Sequence, residues 1–231
     1  MNTENLLDDN ADIVYNNGEI KIIKGRIGSK AYDDTLKLRS SERDMSAQPD
    51  GVDQYSTTYC LYFNNIPAAA MRVTRPLEGI LDNEQYFPRP IIEAFRHLLG
   101  ASSRLVRSDE WRSAPWITKL LMQETWRDNI RLGIRIDLST CRHSILAYYE
   151  RLGYRVICNT YFRNPFRNTD NHVMLMTAEQ QKSSFFHDVF KNCNNIITHT
   201  EIENVMPLCD GMRCADCPST LAKRIKRRTK S

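Results

Sequence analysis

Two apolar runs near the middle of the chain, residues 57–63 and 67–73, leave room between them for little more than a turn. Both are rich in the β-branched, aromatic and small apolar residues that fit a pleated sheet. The Asn64-Asn65 dipeptide between them tolerates the positive φ that a tight hairpin needs. The runs should therefore pair antiparallel, which commits the chain to a sheet at its centre.

The flanking segments say what surrounds that sheet. Residues 1–18 mix Asn and Asp, end in Asn-Asn-Gly and read as a mobile leader. Residues 19–24 suit a strand, and Ser29 is placed to cap a helix running to about Arg43. The polar stretch 46–54 then reads as a loop. After the hairpin come Pro76, Gly79, Pro88 and Pro90, a short helix over 91–99 stopped by Gly100, and a strand over 103–107. A helix follows over 117–131, ended by Gly133, then a strand over 135–139 and a helix over 144–152 closed by Gly153. Strands over 154–162 and 172–177 complete the order. Strands interleaved with helices in this way imply an α/β (α+β) domain, a mixed sheet flanked by helices. Ligands of such sheets sit at strand C-termini near helix N-termini, which points to residues 103–107 and the helix after them.

A chain of 231 residues with 41% hydrophobic content suits one domain with appendages. We expect a leader over 1–18, a catalytic domain over 19–178 and a Cys-rich, basic extension over 179–231. No apolar run is long enough to cross a bilayer and the first residues lack the pattern of a signal peptide, so a cytoplasmic location is expected. The formal charge of +4 is uneven: the last nine residues carry six basic side chains and no acid. Such a tail attracts phosphates, nucleic acid, anionic lipid or acidic proteins, or is a solvated end. Residues 208–231 contain no aromatic side chain, which argues against base stacking and so against nucleic acid as the partner.

The most specific pattern is Leu146-Ala147-Tyr148-Tyr149-Glu150-Arg151-Leu152-Gly153-Tyr154. It resembles the Tyr-Glu-Arg-Leu-Gly-Phe signature of the GNAT acyltransferase family. The resemblance implies a mostly antiparallel GNAT-like sheet, with Tyr149 donating a proton to the leaving thiolate. A phenol, with an ordinary pKa near 10, is protonated at neutral pH and can do this. The plainer role for Tyr148 and Tyr149 is to cover the core from an amphipathic helix.

GNAT enzymes hold the coenzyme A pyrophosphate on a Gly-rich turn that opens a helix. The equivalent stretch here retains Arg112 but has Pro115 and Ile117 where glycines are expected. A proline offers no N–H and bulky side chains block close approach. The departure points to a branch whose donor is a phosphopantetheine thioester on an acyl carrier protein rather than acyl-CoA. Arg39 and Arg43, Asp53 and Tyr55, residues 70–76 and residues 102–106 resemble, in order, the N-terminal half of acyl-homoserine-lactone synthases and N-acyl amino acid synthases. Residues 161–165 and 172–176 look like the C-terminal strands of the latter group. Those synthases often have Glu three residues before the position of Arg104, where this chain has Ala101.

The resemblance thus implies transfer of a long acyl group from carrier protein to the amine of an amino acid, a related small molecule or a peptide. The backbone amides of Leu105, Val106 and Arg107 are the expected oxyanion donors, and Arg112 the donor contact. Arg72 and Arg104 could grip an acceptor carboxylate, with Asp53 beside them; their plainer role is an ion pair at a sheet edge. Asp53, Asp109, Glu110 and His143 are candidate bases, His143 reading more simply as a helix N-terminal residue. An acetyl-CoA-dependent acetyltransferase and a non-catalytic GNAT-like binding module are the alternatives.

Of the seven cysteines, Cys60, Cys141 and Cys158 lie in apolar segments and read as reduced core thiols. Cys209, Cys214 and Cys217, with Cys193 or His199 as a fourth donor, offer a ligand set for zinc. The same residues also fit a loose group of thiols or a disulfide.

Overall fold

The computed structural model describes residues 10–41, 48–165, 168–179 and 185–209. The chain divides into two compact units, residues 1–82 with 100–134, and residues 83–99 with 135–231.

The first unit is an antiparallel meander of β1 (Ala11–Asn16), β2 (Ile20–Gly25), β3 (Ser56–Phe63), β4 (Ile66–Thr74) and β5 (Leu99–Arg107), each paired with the next. Two helices pack on it, α1 (Lys30–Ser40) and α3 (Pro115–Arg131). The expected hairpin is present: Asn64 and Asn65 have φ of 49° and 65° and join β3 to β4. Ser29 caps α1 as expected, its hydroxyl accepting from the Tyr32 N–H.

Side chains on β3 alternate between faces, and two tyrosines use this to fix a helix on each side. Tyr62 donates to Asp34 of α1 at 3.1 Å, and Tyr59 donates to Asp128 of α3 at 2.8 Å. Both rings are fully buried, so each phenol needs such a partner. Burial and the carboxylate beside it push the Tyr59 phenol far above its ordinary value, and it remains a donor at all working pH.

The second unit pairs β6 (Ile136–Arg142) with β9 (Thr169–Thr177), β9 with β7 (Arg155–Ile157), and β7 with β10 (Leu208–Cys209), all antiparallel. A short β8 (Phe162–Asn164) also pairs with β9. The helices of this unit are α2 (Arg89–Phe95), α4 (Leu146–Leu152), α5 (His187–Phe190) and α6 (His199–Glu203). Gly153, at φ 109°, ends α4 as expected, a conformation that only glycine adopts freely.

Several segments depart from the sequence reading. Residues 11–16, assigned there to the leader, form β1, because Ile13 and Tyr15 pair with Ile23 and Ile22 across the hairpin. Gly100 does not stop a helix; α2 ends at Phe95 and Gly100 lies in β5. A Cβ there would come within 3.2 Å of Ile134 and 3.4 Å of Val73, a tight fit in which those side chains would have to give way. The strand expected over 154–162 breaks after Ile157, where Asn159 turns at φ 60° and Thr160 donates to the Ile157 carbonyl. Within residues 185–209, which the sequence reading placed in an extension, Phe186, Phe190 and Ile202 are buried and β10 pairs with β7.

Gly79 lies against Tyr55, and a Cβ there would fall 2.3 Å from the ring. Tyr55 follows Asp53 in a tight turn, so the contact also sets the position of that carboxylate. Gly79→Ala is expected to cost about 1–3 kcal/mol through overpacking. The urea midpoint should fall with an unchanged m-value.

Candidate functional site

Three guanidiniums and three carboxylates meet inside the first unit. Arg72 of β4 lies at their centre with no exposed surface, ion-paired to Asp50, Asp53 and Asp82 at 2.7 Å each. Its Nε donates to Ser103 at 3.2 Å. Arg39 of α1 donates to both oxygens of Asp53 at 3.2 Å, and Arg104 of β5 reaches Asp50 at 3.1 Å and Asp82 at 3.5 Å. The Asp50 backbone N–H completes the shell of Asp53 at 2.8 Å. Burial alone would drive Arg72 toward its neutral form, but Asp82, Asp50 and Asp53 more than offset it and the guanidinium is held above its ordinary value. Burial likewise opposes charge on Asp50, and Arg72 and Arg104 outweigh it, so its carboxyl titrates below the usual carboxylate range.

Sequence reasoning named four members of this cluster, Arg39, Asp53, Arg72 and Arg104. The structure brings them together, but it spends Arg72 and Asp53 on each other and on their neighbours. Both side chains are buried among their partners rather than presented at the surface of the cluster. Only Arg104, whose side chain is 25% exposed, keeps an outward face. Sequence reasoning missed Asp50 and Asp82. The second reaches Arg104 from the loop after β4. No sequence pattern singles it out.

Arg104 also has φ 53°, a left-handed conformation that costs a non-glycine residue about 1–3 kcal/mol. The β4–β5 register jumps there, Ala70 facing Val106 and Arg72 facing Ser103, so Arg104 and Leu105 both stand opposite Met71. This is a β-bulge, and it takes the extra residue out of the ladder. The two carboxylates gripping Arg104 hold the bulge in place.

Beyond β5 the loop to α3 folds back on itself. Arg107 donates to the carbonyls of Ala114 at 3.3 Å and Arg112 at 2.6 Å. The N–H groups of Ser108, Trp111, Arg112, Ala114 and Ile117 all go to nearby carbonyls, and Pro115 has none. Trp111 packs on Phe63 at 4.8 Å and on Trp116 at 6.4 Å between ring centres, which anchors the loop to the end of β3. Arg112 pairs with Asp109 at 2.7 Å on the exposed surface. Asp109 and Glu110 are exposed in a tight turn.

Tyr149 lies in the second unit, on α4. The residue is half-buried, and its ring meets Tyr148 and Tyr154 edge-on, each at 5.5 Å between centres. Tyr154 is fixed beneath it by donating to the buried Asp137 at 2.5 Å. The Tyr149 hydroxyl has no partner among the described residues. Burial, then the neighbouring Cys141 and Tyr148, push its phenol well above the ordinary value, so it is protonated throughout the working range. Cys141 is buried, and burial followed by Glu150 pushes its thiol up to about 12, so it too stays protonated.

Of the proposed metal ligands, Cys193 is buried and its thiol donates to the Asn194 carbonyl at 3.6 Å, while Cys209 lies in β10. Cys214 and Cys217 lie outside the described residues. His199 is paired with Glu179 at 2.9 Å. Among the described residues no group of three or more His, Cys, Asp or Glu is placed to hold a metal ion, and no helix is long and apolar enough to cross a membrane.

No family model and no curated protein matches the sequence. Among solved structures the chain is similar to a Lactobacillus plantarum protein assigned as an N-acetyltransferase, with 18% identity, a TM-score of 0.51, and 69% of this chain and 99% of that one covered. It is similar to an acyl-CoA N-acyltransferase from Pseudomonas aeruginosa, with 14% identity, a TM-score of 0.52, and 68% and 99% covered. It is also similar to FeeM, an N-acyl amino acid synthase from uncultured soil microbes, with 10% identity, a TM-score of 0.52, and 72% and 98% covered. At these identities the likeness is one of fold. The chain has the GNAT fold that the Tyr149 motif implied.

Removing one member of the ion cluster strands the rest. Arg72→Met is expected to cost about 3–5 kcal/mol, because three carboxylates lose their central partner inside the protein. Chemical denaturation measures it. Asp50 adds a pH signature. Its folded pKa lies below the unfolded value of about 3.9, so its contribution is complete above that value and is lost as pH falls through the depressed one. Asp50→Asn should therefore flatten the acid side of the stability–pH curve.

Proposed function

We propose that the protein is an N-acyltransferase that moves an acyl group from a thioester to an amine, in the cytoplasm, with a long acyl chain carried on an acyl carrier protein. The observation that carries the reading is Tyr149: a phenol that is protonated and without a hydrogen-bond partner among the described residues, on a half-buried residue of the helix whose motif first suggested the family.

The chemistry asks for a proton at the departing sulfur and for donors at the developing oxyanion. Tyr149 supplies the first, since a free O–H can hydrogen-bond a thiolate as the C–S bond breaks. The backbone amides of Leu105, Val106 and Arg107 are assigned the second role; they lie at and just beyond the bulge in β5. Arg104, with its remaining exposed face, is assigned to an acceptor carboxylate.

Support for a carrier-borne donor comes from the loop before α3. A pyrophosphate needs backbone N–H groups pointing outward from a helix N-terminus. Here the N–H groups of Trp111, Arg112, Ala114 and Ile117 are already hydrogen-bonded to carbonyls of the loop and Pro115 lacks one. Arg112, the residue retained from the usual loop, is paired with Asp109. A phosphopantetheine arm without the adenosine pyrophosphate does not need that cradle. Acetyl-CoA as donor is the second reading, favoured only by the retention of Arg112.

The test supplies purified protein with decanoyl carrier protein, decanoyl-CoA or acetyl-CoA and an equimolar mixture of L-amino acids, and reads N-acyl products by mass spectrometry. Decanoyl carrier protein should give the highest kcat/KM. Tyr149→Phe should lower kcat by about 100-fold or more with little change in KM. A Tyr149→Phe enzyme working at the wild-type rate would remove the phenol from the mechanism.

A further inference from the structure

The candidate bases named from sequence fare unevenly. Asp53 is locked among arginines, and Asp109 and Glu110 are surface carboxylates. His143 is different. It begins the turn that leads into α4, six residues before Tyr149, and its Nδ1 lies 3.0 Å from Nε2 of His172 on β9. His172 is buried, and burial together with the facing His143 pushes its pKa down to about 4, so it is neutral at working pH.

Two imidazoles joined by one hydrogen bond have complementary tautomers. If Nε2 of His172 accepts, then Nδ1 of His143 carries the proton and Nε2 of His143 presents a lone pair. In that arrangement alone can His143 take a proton at Nε2 and keep the bond, because its Nδ1–H goes on donating to a neutral acceptor. Asp170 acts on both rings and is held ionised by Tyr161 at 2.6 Å and Arg163 at 2.6 Å. Tyr161 packs edge-on to His172 at 5.7 Å between ring centres. His143 is itself only partly covered.

From this geometry we infer that His143 is the general base that deprotonates the acceptor amine, with His172 as the positioning residue that fixes its tautomer. The inference rests on the N-acyltransferase reading and completes its proton balance. An acceptor arriving as an ammonium loses two protons on becoming an amide. The first passes to Nε2 of His143 before attack and from there to solvent. As the C–N bond forms and the C–S bond breaks, the second leaves the nitrogen for solvent while Tyr149 protonates the thiolate and is reprotonated in turn. One helix thus carries the acid, and the turn before it carries the base.

Hydroxylamine separates a base from other roles, because it is neutral at pH 7 and needs no deprotonation before attack. With decanoyl carrier protein and decanoyl-CoA as donors, His143→Gln should lose about 100-fold in transfer to the L-amino acid mixture at pH 7. The loss should shrink as pH rises past the amine pKa. Hydroxamate formation should stay within about 3-fold of wild type, because that nucleophile does not call on the base. His172→Leu should move the acid limb of the pH–rate profile to lower pH, and His172→Gln, whose amide oxygen can accept from Nδ1, should restore it in part. Nitrogen-15 NMR of the free wild-type protein should find His143 as the Nδ1–H tautomer. The assignment is overturned if His143→Gln stays near wild type with amino acids at pH 7. It is equally overturned if a folded His143→Gln loses both nucleophiles alike, or if His143 is the Nε2–H tautomer. If wild type makes no product from either donor with either nucleophile, the N-acyltransferase reading has failed and the base assignment falls with it.

Discussion

The first unit is organised around a cost. Sinking a guanidinium as deeply as Arg72 is unfavourable by several kcal/mol unless its charge and its hydrogen-bonding edges are all met. Asp50, Asp53 and Asp82 surround the charge and Ser103 accepts from Nε, and these residues come from the loop before β3, the loop after β4 and the bulged β5. The side chain can be satisfied only when those segments are all in place, so the cluster selects one arrangement of the loops. The strained φ of Arg104 persists for the same reason: its own guanidinium is tied to two of the same carboxylates. Stability and the shape of β5 are thus set by one set of charges.

How much of this could be read from sequence depended on the range of the interaction. The Asn64-Asn65 turn, the Ser29 cap and the Gly153 stop are settled by residues next to one another, and all three appear as expected. Gly100 misled because a glycine that ends a helix and a glycine that makes room for Ile134 look alike until the partner is known. The break after Ile157 depended on Asn159 and on Thr160 turning back, neither of which shows in an apolar run. The arginines of the cluster were visible by type and order. Their saturation was not, because Asp82 lies outside every pattern that named them.

The candidate site was legible to a similar depth. Tyr149 stood out through its motif, yet the support beneath it, Tyr154 on Asp137, joins residues 17 apart and is a matter of packing. His143 and His172 are 29 residues apart and sit on different elements, and no spacing rule unites them. They meet because Cys141 and His172 are register partners in the β6–β9 ladder, which places the residue two beyond Cys141 beside the same ring.

The brevity of β7 has a consequence for how the protein assembles. Three residues make too few ladder bonds to persist alone, and both neighbours of β7, β9 and β10, are synthesised after it. The meander of the first unit joins strands that follow one another and has no such wait beyond β5. The charged half can therefore close early in biogenesis, while β7 gains its partners only once β9 and β10 have been made.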